Sequence, residues 1–204
     1  MSNSKVEVHH SPMYIEPVSF IDNLDRNRHL VLFYEDVKDG QKIQFRFVKN
    51  GLLNGENCIY TTHTDNIELI ENEMKSNGID VDEYYNKGLL HIHKIPNLFD
   101  HPKGILEDAY EFIKKIFVGL KPPFRVVGRL IDIIDTKEKV EANLTLEKVF
   151  HSKFDQFEGI VMCHYNVSKN PYNTQGKWME NILKNHHSAI CVTASGQGIA
   201  FDMN

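Results

Sequence analysis

The sequence is short of several things, and each shortage excludes something. It has three cysteines, Cys58, Cys163 and Cys191. They are odd in number, far apart and set in apolar runs, so they read as reduced, buried thiols and not as a disulfide frame. No apolar run is long enough to span a bilayer, and no apolar stretch follows the opening Met-Ser-Asn-Ser-Lys, so a cytoplasmic protein without a membrane role is expected. Basic residues are not in excess. Lys and Arg number 23 against 28 Asp and Glu, a net charge of −5, which gives a nucleic acid little to hold. Nowhere does Gly-x-x-x-x-Gly-Lys-Ser/Thr occur, and Gly176-Lys177 is followed by Trp178. Gly-x-Ser-x-Gly is missing too, and Ser195 in Ser-Gly-Gln-Gly reads as a turn residue. There is no internal repeat and no low-complexity linker.

What remains is an ordinary folding composition: 204 residues, 41% hydrophobic and 25% charged, enough for one α/β domain. Residues 1–26 have no steady period and carry two prolines in "SPMYIEPVSFIDNL", which reads as a tail and entry segment. Residues 27–204 read as the domain. Apolar runs at 29–34, 57–62, 88–95, 124–134, 159–166 and 188–194 predict six strands. Helical spacing predicts helices in "DGQKIQFRFVKNGLL" with Asp39 as N-cap, and in "TDNIELIENEMKSNG" capped by Thr64 or Asp65 and stopped by Gly78. It predicts others over 104–117, in "TKEKVEANLTLEKVFHSKF" and in "TQGKWMENILKNH". "SGQGIAF" reads as a tight turn into a short last strand. Regular strand–helix alternation predicts a three-layer α/β fold: a mostly parallel sheet with helices on both faces and a short antiparallel C-terminal strand. In such folds ligands bind at the carboxyl ends of strands. That rule selects the loops after Tyr34, Thr62, Ile95, Arg129 and Tyr165.

The loop after the first strand is where a P-loop would stand. It reads Glu35-Asp36-Val37-Lys38-Asp39-Gly40. Three acids repel a triphosphate, and one glycine cannot build a full nest of backbone N–H groups. The fourth strand reads Val126-Val127-Gly128-Arg129, without the Asp that would hold Mg²⁺. The phosphate cradle and the metal carboxylate are both missing, so no enzyme activity is expected.

"HLVLFYED", "FVKNGLLNGENCIYTT", "LTLEKVF" and "IVMCHYN" resemble the MEDS domain, the methanogen/methylotroph sensory domain, from about residue 27 to 194. The resemblance implies a degenerate RecA/KaiC-like fold without a P-loop and a role in sensing small molecules such as hydrocarbon derivatives. It also implies output to a histidine kinase or a transcription regulator, here a separate protein. The family's motif positions fall on His29, Tyr34, Gly51, Gly55, Glu56, Gly128, Glu147, Cys163, Tyr165 and His187. One position departs from the family: relatives often carry an acid after the fourth-strand glycine, where this chain has Arg129. If that residue touches ligand, an anionic ligand is favoured; if it pairs with Glu147, the change is structural.

The residues yield the following expectations. Tyr34, Glu35, Asp36, Thr62, His63, Arg129, Glu147, Cys163 and Tyr165 are the ligand-binding candidates, at the carboxyl edge of the sheet. Tyr34 offers an apolar face with one polar tip, which suits a small organic molecule. His29, Gly51, Gly55, Glu56, Gly128 and His187 are expected to be structural: His29 caps backbone groups at the amino end of its strand, Gly55-Glu56 makes a tight turn, and His186-His187 closes a helix against its dipole. His91 and His93 share one strand face and form a weak metal candidate lacking further ligands. Cys163 and His164 point to opposite faces and cannot act as an adjacent thiol–imidazole pair. No metal and no cofactor is expected. The expected function is a non-catalytic sensor. The alternatives are a protein-interaction or homo-oligomerisation module without a small ligand, or a residual nucleotide-binding enzyme.

Overall fold

The computed structural model describes residues 15–25, 27–99, 104–168 and 176–203. Residues 1–14 of the expected tail lie outside them, as do Thr174 and Gln175 at the expected start of the last helix. The elements run α1 (Pro17–Asp22), β1 (Arg28–Tyr34), α2 (Val37–Leu53), β2 (Asn57–Thr62), α3 (Ile67–Ser76), α4 (Val81–Asn86), β3 (Leu90–Lys94), α5 (Ile105–Ile116), β4 (Phe124–Gly128), α6 (Lys137–Ser152), β5 (Gly159–Asn166), α7 (Gly176–Leu183), β6 (Ser188–Val192) and β7 (Gly198–Asp202). One seven-stranded sheet has the order β3-β2-β4-β5-β1-β6-β7. Every neighbouring pair is parallel except the antiparallel β6–β7 hairpin. The three-layer α/β expectation therefore holds, including the short last strand, which turns on Gly196 at φ +74°.

The central strands β1 and β5 are buried on both faces, as their largely apolar runs imply. Their parallel register pairs His29 with Val161, Val31 with Cys163 and Phe33 with Tyr165. Strand alternation puts these on one face and Leu30, Leu32, Met162 and His164 on the other. Helices α1 to α4 cover the face of Leu30 and Leu32, packing Phe20, Phe47, Val48 and Met74 there. Helices α6 and α7 cover the face of Val31 and Phe33 with Leu146, Trp178 and Ile182, and α5 adds Phe112 and Ile116 over Ile59.

Several local expectations are corrected. Asp36, not Asp39, caps α2: its carboxylate accepts from the N–H groups of Lys38 (2.8 Å) and Asp39 (3.2 Å). Asp39 instead accepts from Lys42 Nζ one turn on. Asn66, not Thr64 or Asp65, caps α3 by accepting from Leu69 N–H. The fourth strand ends at Gly128 and not at Ile134, because the chain leaves the sheet while Ile131 and Ile134 still bury under the second face. The entry segment holds a short helix, α1, with Pro17 at its first turn, where a missing N–H costs nothing. Ile15 pairs with Ala200 beside it. Helix α4 is six residues long, too short to show a period, and its Asp80 cap was not anticipated.

The Gly51–Glu56 motif has a packing cause. Arg125 of β4 lies under α2, where its guanidinium donates to Glu56 Oε2 (2.7 Å), Glu56 Oε1 (3.1 Å) and the Phe47 carbonyl (3.2 Å). A Cβ at Gly51 would come within 2.5 Å of Arg125 Cδ, so only glycine leaves room for this ion pair. Gly55 has φ +74°, which supports the expected turn, but Glu56 is more than a turn residue. Removing one partner strands a buried charge. Glu56→Ala should lower the unfolding free energy by about 3–5 kcal/mol in urea titration, whereas the paired change Glu56→Leu with Arg125→Met should recover most of it.

Candidate functional site

The sequence-predicted ligand residues separate onto two surfaces of the sheet. The first group lies at the carboxyl edge. Arg129 Nη1 donates to His164 Nδ1 (3.0 Å), and Nη2 pairs with Asp132 Oδ1 (2.5 Å). Arg129 therefore pairs with Asp132 and not with Glu147. Tyr34 Oη lies 3.4 Å from the same His164 nitrogen. His63 Nε2 donates to the Arg129 carbonyl at 3.0 Å. Because His164 accepts from a cation, it is held neutral: burial first, then Arg129 and His63, push its pKa well below the usual value. His63, Arg129, Asp132 and His164 border an edge crevice of about 330 Å³ with Tyr60, Thr61, Thr62 and Thr64.

The acidic turn is engaged within the chain. Only Glu35 and Asp36 separate β1 from α2. The Asp36 carboxylate occupies the helix N–H groups that a phosphate would otherwise take. Glu35 Oε2 accepts from Ala194 N–H at 2.9 Å. The Tyr34 ring packs over the first turn of α2, where a Cβ on Gly40 would fall 2.5 Å from it. Thr62 Oγ1 accepts from Thr64 N–H at 3.2 Å.

The second group lies on the opposite face, beneath α6 and α7. Tyr165 donates a very short hydrogen bond to Glu147 Oε1. Asn143 Nδ2 donates to Tyr165 Oη (2.9 Å), and Trp178 Nε1 donates to Asn143 Oδ1 (3.2 Å). Glu147 Oε2 faces Cys163 Sγ (3.6 Å), His29 Nε2 (3.6 Å) and His186 Nε2 (3.5 Å), and His29 Nε2 is 3.4 Å from Cys163 Sγ. All four residues are buried. Burial pushes Glu147 up to about 7, against the hydrogen bonds of Tyr165 and Cys163, and brings His186 down to about 3. Burial and then Glu147 raise the Cys163 thiol. Burial, followed by the neighbouring histidines, lowers His29 well below the imidazole range. A thiol, a carboxyl and two imidazole nitrogens are donor types of transition-metal ligands.

His29 thus does more than cap: its backbone N–H donates to His187 Nδ1 at 3.0 Å, while its ring joins the buried cluster. His186 takes the helix-end role expected of the His186-His187 pair, with Nδ1 donating to the Ile182 carbonyl at 2.7 Å. His91 and His93 stand apart on β3, His91 Nε2 lying 3.2 Å from Asn57 Oδ1. Among the described residues they join no group of three metal-ligand side chains. Gly128 is a close-approach glycine, since a Cβ there would lie 1.8 Å from Thr61 Oγ1. The partners that sequence reading missed are His186 as a cluster member, Asn143 and Trp178. Asn143 was findable: it sits four residues before Glu147, one helical turn away on the same face.

A cavity of about 80 Å³ opens between this face, α5 and α6. Phe112, Ile116, Leu130, Leu146 and Phe150 line it, and Asn143, Glu147 and Cys163 bring polar atoms to its wall. Thr61 and Arg129 line both this cavity and the edge crevice, so the two lie against each other.

A seven-stranded α/β sheet of this order, with a capped helix in place of a phosphate loop, defines a RecA-type scaffold, here with an apolar cavity against one sheet face. The comparisons with known proteins agree. A KaiC-like protein from the hyperthermophilic archaeon Pyrococcus horikoshii OT3 superimposes with a TM-score of 0.55 at 16% identity, over 83% of this chain and 73% of that one. The flagellar accessory protein FlaH from Methanocaldococcus jannaschii gives 0.50 at 12% identity, over 82% and 72%. No curated protein matches the chain significantly. The model of the MEthanogen/methylotroph, DcmR Sensory domain matches residues 28–187, and the chain belongs to that family, MEDS. Among the described residues no helix is long and apolar enough to cross a membrane.

The neutral, buried state of His164 has a consequence for stability. Its folded pKa lies below its unfolded value, so the unfolded chain binds more protons in the window below about 6.5. Stability is full above that value and should fall on acidification by up to about 1.4 kcal/mol per pH unit for this one residue. Urea unfolding at descending pH measures the slope, and His164→Gln should reduce it.

Proposed function

We propose that the domain is a non-catalytic sensor that binds one small, largely apolar molecule in the cavity beneath α5 and α6. A separate signalling protein, a histidine kinase or a transcription regulator, reads the occupancy in the cytoplasm. The cavity carries this reading. It is walled chiefly by aromatic and aliphatic side chains with a few polar ones, the usual character of a small-molecule site. An apolar cavity of about 150 Å³ holds benzene, about 25 Å³ per heavy atom, so this one takes about three such groups. That fits a short-chain alcohol, thiol or ketone and is far too small for a nucleotide. Glu147 and Asn143 would orient the polar end. Membership of a sensory family supports the reading, as does the Asp36 carboxylate on the α2 N–H groups.

The route outward is also supported. Helix α5 turns Phe112 and Ile116 inward, while Leu106 and Tyr110 stand exposed one turn apart on its other side. A helix that walls the cavity and shows apolar side chains to solvent can couple ligand to partner, provided the ligand binds its two positions with different affinity. The exposed pair also favours the second reading, a protein-interaction module whose cavity takes no ligand.

Native mass spectrometry of protein purified from cells, followed by thermal unfolding with short-chain alcohols, thiols and ketones, separates the two. The sensor reading expects a retained small mass or a Tm that rises with ligand. At a concentration one hundred times Kd the rise should be about 5–11 °C. Val126→Phe fills the cavity and should abolish the response, while His91→Gln should leave it intact. Equal responses from wild type and Val126→Phe would remove the cavity as the site.

A further inference from the structure

His186 presents an anomaly. A carbonyl can only accept, so the hydrogen bond to Ile182 places the ring proton on Nδ1. Nε2 is then a bare lone pair. It is buried, has no hydrogen-bond partner, and points at Glu147 Oε2 from 3.5 Å. A buried acceptor left in this state is costly, and folded proteins seldom keep one without a reason.

The three groups around it suggest the reason. His29 Nε2, Cys163 Sγ, Glu147 Oε2 and His186 Nε2 all lie within 4.8 Å of one another. Four of the pairwise distances are 3.4, 3.5, 3.6 and 3.6 Å. A tetrahedral zinc ion with bonds of about 2.0–2.3 Å has ligand–ligand edges of about 3.3–3.8 Å. The four printed edges fall within that span, and closing the set around an ion requires the His29 and His186 rings, whose centroids are 3.9 Å apart, to spread.

We propose that His29, Glu147, Cys163 and His186 form a tetrahedral binding site for a divalent thiophilic cation, zinc in the first instance. Two neutral imidazoles, one thiolate and one carboxylate give the set a charge of −2, which a divalent ion cancels. That removes the penalty of burying either anion alone. The surroundings match those of a held ligand set. The His186 Nδ1–H is fixed by a backbone carbonyl, the usual orienting contact of a metal-binding histidine. The His29 ring turns its Nδ1 to His151 Nδ1 at 3.5 Å, which leaves Nε2 facing Cys163 and Glu147. Tyr165 holds the other oxygen of Glu147, and Asn143 and Trp178 hold Tyr165 in turn. Sulfur and nitrogen donors discriminate against magnesium and calcium, which prefer all-oxygen sets. The site stands whether or not the neighbouring cavity binds a ligand, although Glu147 and Cys163 serve the walls of both.

Cobalt is the probe. Chelator-treated full-length protein, shown by circular dichroism to be folded, is titrated with Co²⁺. The expected result is saturation at one ion per chain, with intense tetrahedral d–d bands and a thiolate-to-cobalt charge-transfer band, all erased by Zn²⁺. Cys163→Ser should lose the charge-transfer band. Glu147→Gln and His186→Gln should each weaken binding at least about 10-fold, and Tyr165→Phe, acting through Glu147, by about 10-fold or more. Where a variant fails to fold, the wild-type spectrum alone decides, because thiolate ligation and tetrahedral geometry are read from it directly. His91→Gln with His93→Gln, and His9→Gln with His10→Gln outside the described residues, should change nothing. A folded apo protein with no saturable thiolate band overturns the proposal, as does an octahedral spectrum or a band that survives Cys163→Ser.

Discussion

A parallel sheet covered on both faces leaves its central strands no water. Any polar side chain on β1 or β5 must find its partner inside the protein, or the fold carries a desolvation cost of about 1–3 kcal/mol for each orphan. His29, Cys163, His164 and Tyr165 all lie on these strands and are all buried. Two polar networks follow from that constraint, one on each side. His164 turns to Tyr34 and Arg129 at the carboxyl edge, while Cys163 and Tyr165 turn to Glu147 on α6. Three consecutive residues of one strand thus organise both faces, because neighbours on a strand point in opposite directions.

The relation to nucleotide-binding scaffolds is a matter of what stands at the start of α2. In this chain the connection has shrunk to two residues, and a side-chain carboxylate performs the capping that a phosphate performs elsewhere. With that position closed, the apolar cavity lies against the opposite sheet face. There α5 and α6 stand off from β4 and β5 far enough to leave an apolar cavity. The cavity and the carboxyl-edge crevice share Thr61 and Arg129, so the two adjoin at the strand ends.

The fold was legible in the chain because its strands are short, mostly apolar runs separated by helices. Period and length settle those without knowledge of the rest. The misreadings have local causes. Asp36 and Asp39 both satisfy the composition of an N-cap, and only the backbone course decides between them. The run Leu130–Ile134 is apolar enough for a strand, yet the sheet at β4 ends with Gly128, and the same side chains bury in an irregular segment. Helix α4 has too few residues for a period to appear. In the site, Glu147, Cys163, Tyr165 and His29 were marked by resemblance, yet nothing in their spacing joined His29 to Glu147 or drew in His186 as a third nitrogen-bearing or carboxylate neighbour.

The sequence by itself determined the strand–helix alternation, the opposite facing of Cys163 and His164, and the loss of the phosphate loop. Each is a property of consecutive residues, carried by side-chain size, period and charge. Only the tertiary structure decided that residues 29, 147, 163 and 186 share one buried volume. They come from β1, α6, β5 and the turn after α7, and parallel crossovers bring such segments together through the packing of whole helices on the sheet. The register of β1 on β5 and the seat of α6 over them set those distances, and no local pattern in the chain encodes either.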